Sequence, residues 1–115
     1  MTPILKRLTA DTEFSTPTPV AQPLGDELSH TRLALAQAVE DPHFSLGVWE
    51  CTPGTWRRQV LQAEYSYFIS GKGSFTPDDG EVIHFQAGDA VYFAPHTTGV
   101  WVIEETVTKH YFIVG

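Results

Sequence analysis

The residue of this chain best suited to chemistry is Glu64, an acidic side chain at the start of an apolar segment. Side chains alternate faces along a β-strand, so Glu64, Ser66 and Phe68 should point to one face and Tyr65 and Tyr67 to the other. A carboxylate that faces a core is costly to desolvate unless it has a cation or hydrogen-bond donors, or takes up a proton. We therefore expect Glu64 to bind a polar ligand, to act as a general acid or base with a raised pKa, or to form a structural ion pair.

The histidines and the single cysteine do not form a recognisable metal motif. The five histidines include no His-x-His pair, and Cys51 alone can form neither an intramolecular disulfide nor a cysteine-based zinc site. Zinc, manganese or iron sites in small β-barrels need two or three imidazoles with a carboxylate. We predict no cofactor, and the alternative is a divalent Mn, Zn or Fe held by Glu64 with His84 or His110.

Composition and charge limit the class of protein. The 115 residues suffice for one domain, and the formal net charge of −7 disfavours a nucleic-acid partner, which would need a surplus of Lys and Arg. The N-terminal segment has no apolar run typical of a signal peptide, and no segment reaches the length of a membrane span. We expect no membrane partner and a cytoplasmic location.

The chain divides into an extended arm, residues 1–28, and a β-rich domain, residues 29–115. Pro17, Pro19, Pro23 and Gly25 interrupt the arm, which we expect to lie extended on the surface of the body. Apolar runs and turn signals then alternate every 8 to 12 residues or so, as in a sandwich or barrel. Without helices, a double-sheet jelly roll best limits exposed edges. The predicted strands are Thr31–Gln37, Phe44–Thr52, Thr55–Val60, Glu64–Ser70, Gly73–Thr76, Glu81–Phe85, Ala90–Phe93, Gly99–Glu104 and Lys109–Val114. We expect a hairpin between the first two with a turn at 40–43, another at Asp79-Gly80, and a turn at Gly71-Lys72-Gly73.

Two spaced series of residues resemble the sequence motifs of the cupin superfamily. The first consists of Pro53-Gly54 and Glu64 with Gly71 seven residues later, and the second of Gly88-Asp89 and Pro95. Within the superfamily, Gly47–Gly54, Trp101 and Lys109-His110-Tyr111 are most similar to small single-domain cupins related to ureidoglycine aminohydrolase. The usual histidines of the first motif are replaced by Arg58 and Val60, or by Arg57 and Gln59 with a longer spacing, and that of the second falls at Val100 or Trp101.

The resemblance implies an all-β fold, a double-stranded β-helix or cupin jelly-roll barrel, with Glu64 facing inward. It places the cations Arg57, Arg58 and Lys109 near Glu64, so a structural ion pair would be made with Arg58 or Lys109. The ligand-binding residues implied are Glu64, Trp49, Arg58, Trp101, Lys109 and Tyr111, with both tryptophans near the barrel opening. By analogy, a homodimer is expected.

Two functions remain open from the sequence. The first is binding of a small polar metabolite in the barrel without a histidine-based metal site. The second is an aminohydrolase-like or isomerase-like enzyme in which Glu64 is the catalytic acid/base or an unusual metal ligand. Because the manganese site of the aminohydrolase relatives is not reproduced here, their reaction does not carry over.

Overall fold

The computed structural model describes residues 5, 14–35 and 43–114, and the strands in these residues form one curled nine-stranded sheet. No helix occurs in the described part of the chain, so the all-β jelly-roll prediction is confirmed. None of the described segments forms a helix of the length and hydrophobicity needed to cross a bilayer. The strands are β1 (Thr18–Pro19), β2 (Pro23–Leu24), β3 (His30–Leu35), β4 (Phe44–Cys51), β5 (Gly54–Val60), β6 (Ala63–Pro77), β7 (Ile83–Gln86), β8 (Ala90–Phe93) and β9 (Thr97–Val114).

Two long strands, β6 and β9, organise the sheet. Its order is β1-β3-β4-β9-β5-β2, while β6 pairs with β7, β8 and β9. The first half of β9 lies between β5 and the second half of β6, and its second half lies between β4 and the first half of β6. Because each long strand changes partners along its length, the sheet curls around a single core.

The described part of the arm, residues 14–28, lies extended along the body and adds two short strands to its sheet. Strand β1 pairs with β3, and β2 pairs with β5. Most of its side chains are exposed, as predicted, but Val20 is buried and joins the core. The arm therefore contributes to the hydrophobic core as well as covering the surface.

The predicted turn at Gly71 is wrong, because β6 runs without a break from Ala63 to Pro77. The pairing of β6 with β9 shifts register several times between Phe68 and Gly73, which marks bulges. Gly71 has a φ of +86°, and a Cβ there would collide with the backbone of Thr106. Glycine thus lets the strand bend at a close backbone approach without ending.

The predicted break after Glu104 is also wrong, since β9 continues from Thr97 to Val114. Glu104, the last residue of the predicted strand, and Glu105, the first residue after it, are both exposed. They face solvent from within the strand, so their polarity reflects exposure and not a chain reversal.

Both predicted hairpins are confirmed. Strands β3 and β4 pair antiparallel, although the end predicted for the first of them and most of its turn, residues 36–42, lie outside the described residues. Strand β7 returns antiparallel to β6 after Asp79-Gly80, with the Gly80 amide donating to the Pro77 carbonyl at 3.3 Å.

Aromatic rings packed around Trp101 make up most of the core, and Trp101 itself is only 1% exposed. The rings that contact it have centroids 5.0 to 5.7 Å away, or 6.3 Å for one tryptophan. These neighbours are Trp49, Trp56, Phe75, Phe85 and Phe93. Such packing holds β4 and β9 together at Trp49 and Trp101, and the polar site lies next to these rings.

Candidate functional site

Glu64 lies on the inner face of β6 and is 3% exposed. The alternation predicted from the sequence is confirmed, because Ser66 and Phe68 are buried beside it while Tyr65 and Tyr67 are exposed. The Ser66 hydroxyl donates to Oε2 of Glu64 at 2.8 Å. A residue of the same strand therefore supplies one hydrogen bond to the carboxylate, in addition to the contacts with cations described next.

Two cations from neighbouring parts of the barrel complete the surroundings of this carboxylate. The ammonium of Lys109 on β9 donates to Oε2 at 2.6 Å. The guanidinium of Arg58 on β5 lies 3.6 Å from Oε1. Both structural ion pairs proposed from the sequence are thus formed, and Lys109 makes the shorter contact.

Arg57, the third cation expected near Glu64, is not part of this group. It follows the alternation of β5 to the other face, where its guanidinium contacts the Asp78 carboxylate at 2.7 Å. That pair is exposed, whereas the Glu64 and Lys109 side chains are almost fully buried. The adjacent residues Arg57 and Arg58 therefore have different environments and provide a matched pair for mutagenesis.

The ammonium of Lys109 is enclosed by aromatic rings as well as by Glu64. The Lys109 side chain is 1% exposed, and its Nζ atom lies 4.7 Å from the ring centroid of Trp49 and 5.2 Å from that of Trp101. The rings of Phe93 and Phe68 are at 5.4 and 5.8 Å. Aromatic faces attract a cation through their quadrupole, which offsets part of the cost of removing the ammonium from water.

The electrostatics of the pair follow from this burial. Burial acts to raise the pKa of Glu64, but the charges of Lys109 and Arg58 and the hydrogen bonds from Lys109 and Ser66 outweigh it and hold the pKa below its usual range. A raised pKa, one of the alternatives left open by the sequence, is therefore not found, because Lys109 and Arg58 both lie close to the carboxylate. Burial lowers the pKa of the Lys109 ammonium to about 8, even though the Glu64 charge opposes the shift. At neutral pH the site holds a carboxylate and an ammonium.

A cavity of about 210 Å³ opens beside this ion pair. Five of the six ligand-binding residues predicted from the sequence line it, together with three that were not predicted. The lining residues are Leu33, Ser45, Trp49, Arg58, Glu64, Lys109, Tyr111 and Ile113. The lining thus combines apolar and aromatic side chains with a few charged and polar groups, which is the usual composition of a small-molecule site.

The sixth predicted residue, Trp101, does not line the cavity. It lies behind Trp49, with ring centroids 5.7 Å apart, and belongs to the core. Trp49 is also buried in the core, so of the two tryptophans expected near the barrel opening only Trp49 reaches the cavity. The physical reason is that residue 101 lies in the first half of β9, which faces the aromatic core, whereas Lys109 and Tyr111 lie in the second half.

The histidines considered as metal ligands are not brought to Glu64. His84 is exposed on β7 and lines a separate polar depression with Lys72 and Asp89. His110 alternates with its inward neighbours Lys109 and Tyr111 along β9. Among the residues that the structure describes, no group of three or more His, Cys, Asp or Glu side chains is arranged to hold a metal ion.

Sequence reasoning missed Leu33, Ser45 and Ile113, and one glycine that shapes the cavity. These three residues look like ordinary members of alternating strands, so only the closure of the barrel brings them together. Gly47 had a readable signal, because a glycine inside a strand often marks a close approach. It lies opposite Tyr111, and a Cβ there would lie 2.8 Å from the phenolic oxygen and 2.8 Å from the Ala34 carbonyl oxygen.

Comparison with protein families agrees with this geometry. Residues 39–111 match the family model described as the EutQ-like cupin domain. The chain belongs to the EutQ-like cupin family. The cupin resemblance inferred from the two motifs is thereby confirmed at the level of the superfamily.

Solved structures of other cupins are similar to this EutQ-like cupin. The EutQ protein of Clostridium difficile matches with a TM-score of 0.66 and 15% identity, over 75% of this chain and 68% of that one. A DUF861 family protein from Thermotoga maritima matches with a TM-score of 0.54 and 30% identity, over 56% of this chain and 73% of that one. A DUF861 family protein from Pseudomonas syringae matches with a TM-score of 0.70 and 21% identity, over 87% of this chain and 45% of that one. No curated protein matches this chain at a significant level.

Proposed function

We propose that this EutQ-like cupin binds a small, singly negatively charged metabolite in the cavity beside Glu64, without a metal. The observation that carries the proposal is the charge of the cavity wall. Arg58 and Lys109 supply two positive charges and Glu64 one negative charge, so the wall keeps one positive charge. A monoanion would neutralise it inside a region of low dielectric, where an unbalanced charge is costly.

Arg58 is the group best placed to receive the ligand. Its side chain is 25% exposed, and within the described residues its only ion-pair contact is the 3.6 Å approach to Glu64. That distance is too long for a hydrogen bond, so the guanidinium keeps N–H donors for a second acceptor. A carboxylate is the natural match, since it can accept two parallel hydrogen bonds from a guanidinium.

The size and lining of the cavity restrict the rest of the ligand. Its volume of about 210 Å³ is smaller than the roughly 300 to 1,000 Å³ of drug-sized sites, and equals the space of about seven waters. Leu33 and Ile113 offer apolar surface, and the hydroxyls of Ser45 and Tyr111 offer hydrogen bonds. These features favour a short carboxylic acid with one further polar group.

The experiment is a titration followed by intrinsic tryptophan fluorescence. Trp49 lines the cavity and also lies 4.7 Å from the Lys109 ammonium, so occupation should change its emission. The ligands are lactate, as a small hydroxy acid, and glycerol, as a neutral molecule of the same number of non-hydrogen atoms. We expect lactate to bind and glycerol not to bind, and the lactate affinity to fall at high ionic strength.

Two variants on adjacent residues test the role assigned to the guanidinium. Arg58→Gln should weaken lactate binding by about tenfold or more, because a charge-assisted hydrogen bond contributes roughly 1.5 to 3 kcal/mol. Arg57→Gln removes the same charge from the outer face and should leave the affinity unchanged. Equal binding of lactate and glycerol, or equal effects of the two variants, would contradict the proposal.

The lowered pKa of Glu64 bears on the alternative function. A general acid needs a carboxyl group that is protonated near the working pH, and the Lys109 contact favours the carboxylate. In its resting state Glu64 is therefore a base or an ion-pair partner, and it can donate only a proton that it has first accepted within the site. The relation to ureidoglycine aminohydrolase, the homodimer, the cytoplasmic location and the lack of nucleic-acid and membrane partners stay predictions.

A further inference from the structure

We infer that Lys109 forms an imine with the carbonyl group of a small 2-oxo acid bound in the cavity. This inference rests on the proposed binding of a small carboxylate and adds a covalent step at a second group of the same site. It starts from an unusual placement of a lysine. The side chain is 1% exposed, yet it lines the cavity beside a carboxylate, while most lysines lie at the protein surface.

The surroundings of the Lys109 nitrogen favour its neutral, nucleophilic form. Four aromatic rings surround the side chain, which is 1% exposed, and Arg58 adds a second positive charge to the same wall. With a pKa of about 8, roughly a tenth of the side chain is the free amine at pH 7, whereas an ordinary lysine has well under about one part in a thousand. Buried lysines of this kind form Schiff bases with carbonyl compounds.

Glu64 provides the proton transfers that imine formation needs. The Lys109 ammonium gives one proton to Oε2, 2.6 Å away, and the free amine nitrogen attacks the carbonyl carbon of the ligand. Glu64 returns that proton to the former carbonyl oxygen. It then takes a second proton from the nitrogen and passes it to the new hydroxyl, which leaves as water as the carbon–nitrogen double bond forms. The products are one protonated imine and one water, with no net change in charge and no oxidant or reductant.

The charge balance explains why this step suits a buried site. The protonated imine carries the same positive charge as the ammonium it replaces, so the Glu64 carboxylate has a positive partner both before and after the reaction. A reaction that left Glu64 unpaired would expose a buried carboxylate to the full cost of desolvation. The pair is therefore adapted to carbonyl addition followed by loss of water.

The class of ligand follows from the positions of the two cations. Lys109 and Arg58 contact the two oxygens of one carboxylate, which places their polar heads close together in the cavity wall. In a 2-oxo acid the carbonyl and the carboxylate are on adjacent carbons, so one molecule can present its carbonyl to Lys109 and its carboxylate to Arg58. Pyruvate, with six non-hydrogen atoms, is within the size that the cavity accepts.

The experiment traps the imine by reduction. The intact protein is incubated with pyruvate and sodium cyanoborohydride, and the modified residue is located by peptide mass analysis. We expect Lys109 to gain the mass of one pyruvic acid less one oxygen, at least about tenfold faster than Lys72, because Lys109 lies in the cavity beside Glu64 and Arg58, where the ligand is held. Lys72 is the internal control, since it is half exposed and makes a 3.7 Å surface ion pair with Glu105.

Variants and a second ligand separate this inference from the proposed function. Lys109→Arg keeps the charge and should lose the adduct, and Glu64→Gln should slow it by about tenfold or more, because proton transfer by a positioned side chain contributes roughly 100-fold or more. Lactate lacks the carbonyl group and should protect Lys109 from pyruvate by competition. Because the residue is mapped in the wild-type protein, the result does not depend on either variant folding.

The outcomes are distinct. Lactate binding without a Lys109 adduct would overturn the imine and retain the binding proposal. Labelling of Lys72 at the same rate as Lys109 would also overturn it, since the adduct would then reflect surface chemistry. If neither acid binds and no adduct forms, both proposals fail.

Discussion

The buried pair of Glu64 and Lys109 makes a quantitative prediction about stability. Replacing Lys109 by Met removes the ammonium but keeps a side chain of similar length among the same aromatic rings. Glu64 is then left 3% exposed without its 2.6 Å partner. A buried charge that loses its partner destabilises a protein by about 3 to 5 kcal/mol.

The structure places the expected cost at the lower end of this range. After Lys109→Met, Glu64 still accepts a hydrogen bond from Ser66 at 2.8 Å and has Arg58 at 3.6 Å. We therefore expect a loss of about 3 kcal/mol, which for a domain of this size lowers Tm by roughly 12 °C. Glu64→Leu should cost a similar amount, because it leaves Lys109 buried without a carboxylate.

The double variant Glu64→Leu/Lys109→Met distinguishes a paired charge from lost packing. Replacing both charges by apolar side chains is often neutral or stabilising, so the double variant should cost no more than about 1 kcal/mol. Urea unfolding at pH 7 measures all four proteins, with unchanged m-values as the control for two-state behaviour. A double variant that loses the sum of the two single losses would refute the reasoning.

Three further predictions concern pH, backbone and surface charge. Because the folded state lowers the pKa of Lys109 from 10.5 to about 8, the unfolded state binds more protons between these values and the unfolding free energy should rise with pH from about 8. Burial raises the pKa of Cys51 from 9.0 to about 11, so above pH 9.0 this thiol lowers the unfolding free energy as the pH rises. The effect of Lys109 is therefore measured in Cys51→Ala. In the double variant Cys51→Ala/Lys109→Met, the rise in unfolding free energy should be absent. Gly71→Ala should destabilise the protein by more than the roughly 1 kcal/mol of a typical glycine substitution, because φ is +86° and the new methyl group meets the Thr106 backbone; an unchanged urea midpoint would contradict the bulge. Arg57→Ala breaks an exposed ion pair and should leave the urea midpoint unchanged within error at any salt concentration. A clearly lower midpoint would show that the Arg57–Asp78 pair stabilises the protein more than its exposure implies.

Much of the fold could be predicted from local signals. The Asp79-Gly80 hairpin and the alternation around Glu64 both depend on residues close together in sequence. The breaks predicted in β6 and β9 were wrong because a glycine or a pair of polar residues occurs in turns, in bulges and in exposed strands. The local sequence does not distinguish these three structures. Only the partners of a strand distinguish these cases, and the partners are distant in sequence.

The candidate site divides in the same way. Glu64 could be selected from sequence alone, because a lone acidic residue on the apolar face of a strand requires a partner wherever that face is buried. The position of Trp101 could not, because every inward residue of a barrel has the same alternation and its depth depends on how far along the barrel it lies. The cavity residues Leu33 and Ser45 carried no signal for the same reason.

The sequence by itself determined that this protein is rich in β-strands, with Glu64 on the same face of its strand as Ser66 and Phe68, because side chains alternate along a strand. The resemblance to cupins added the barrel, the inward direction of that face and the absence of the usual metal-binding histidines. Only the tertiary structure decided which groups neutralise the carboxylate, because Lys109 lies 45 residues further along the chain and reaches Glu64 through the register of β6 against β9. Closure of the barrel also brought Arg58 together with Lys109 and Glu64 and left one positive charge on the wall of a small cavity. That charge depends on distances in space, and for this reason the chemistry of the site is a property of the folded barrel.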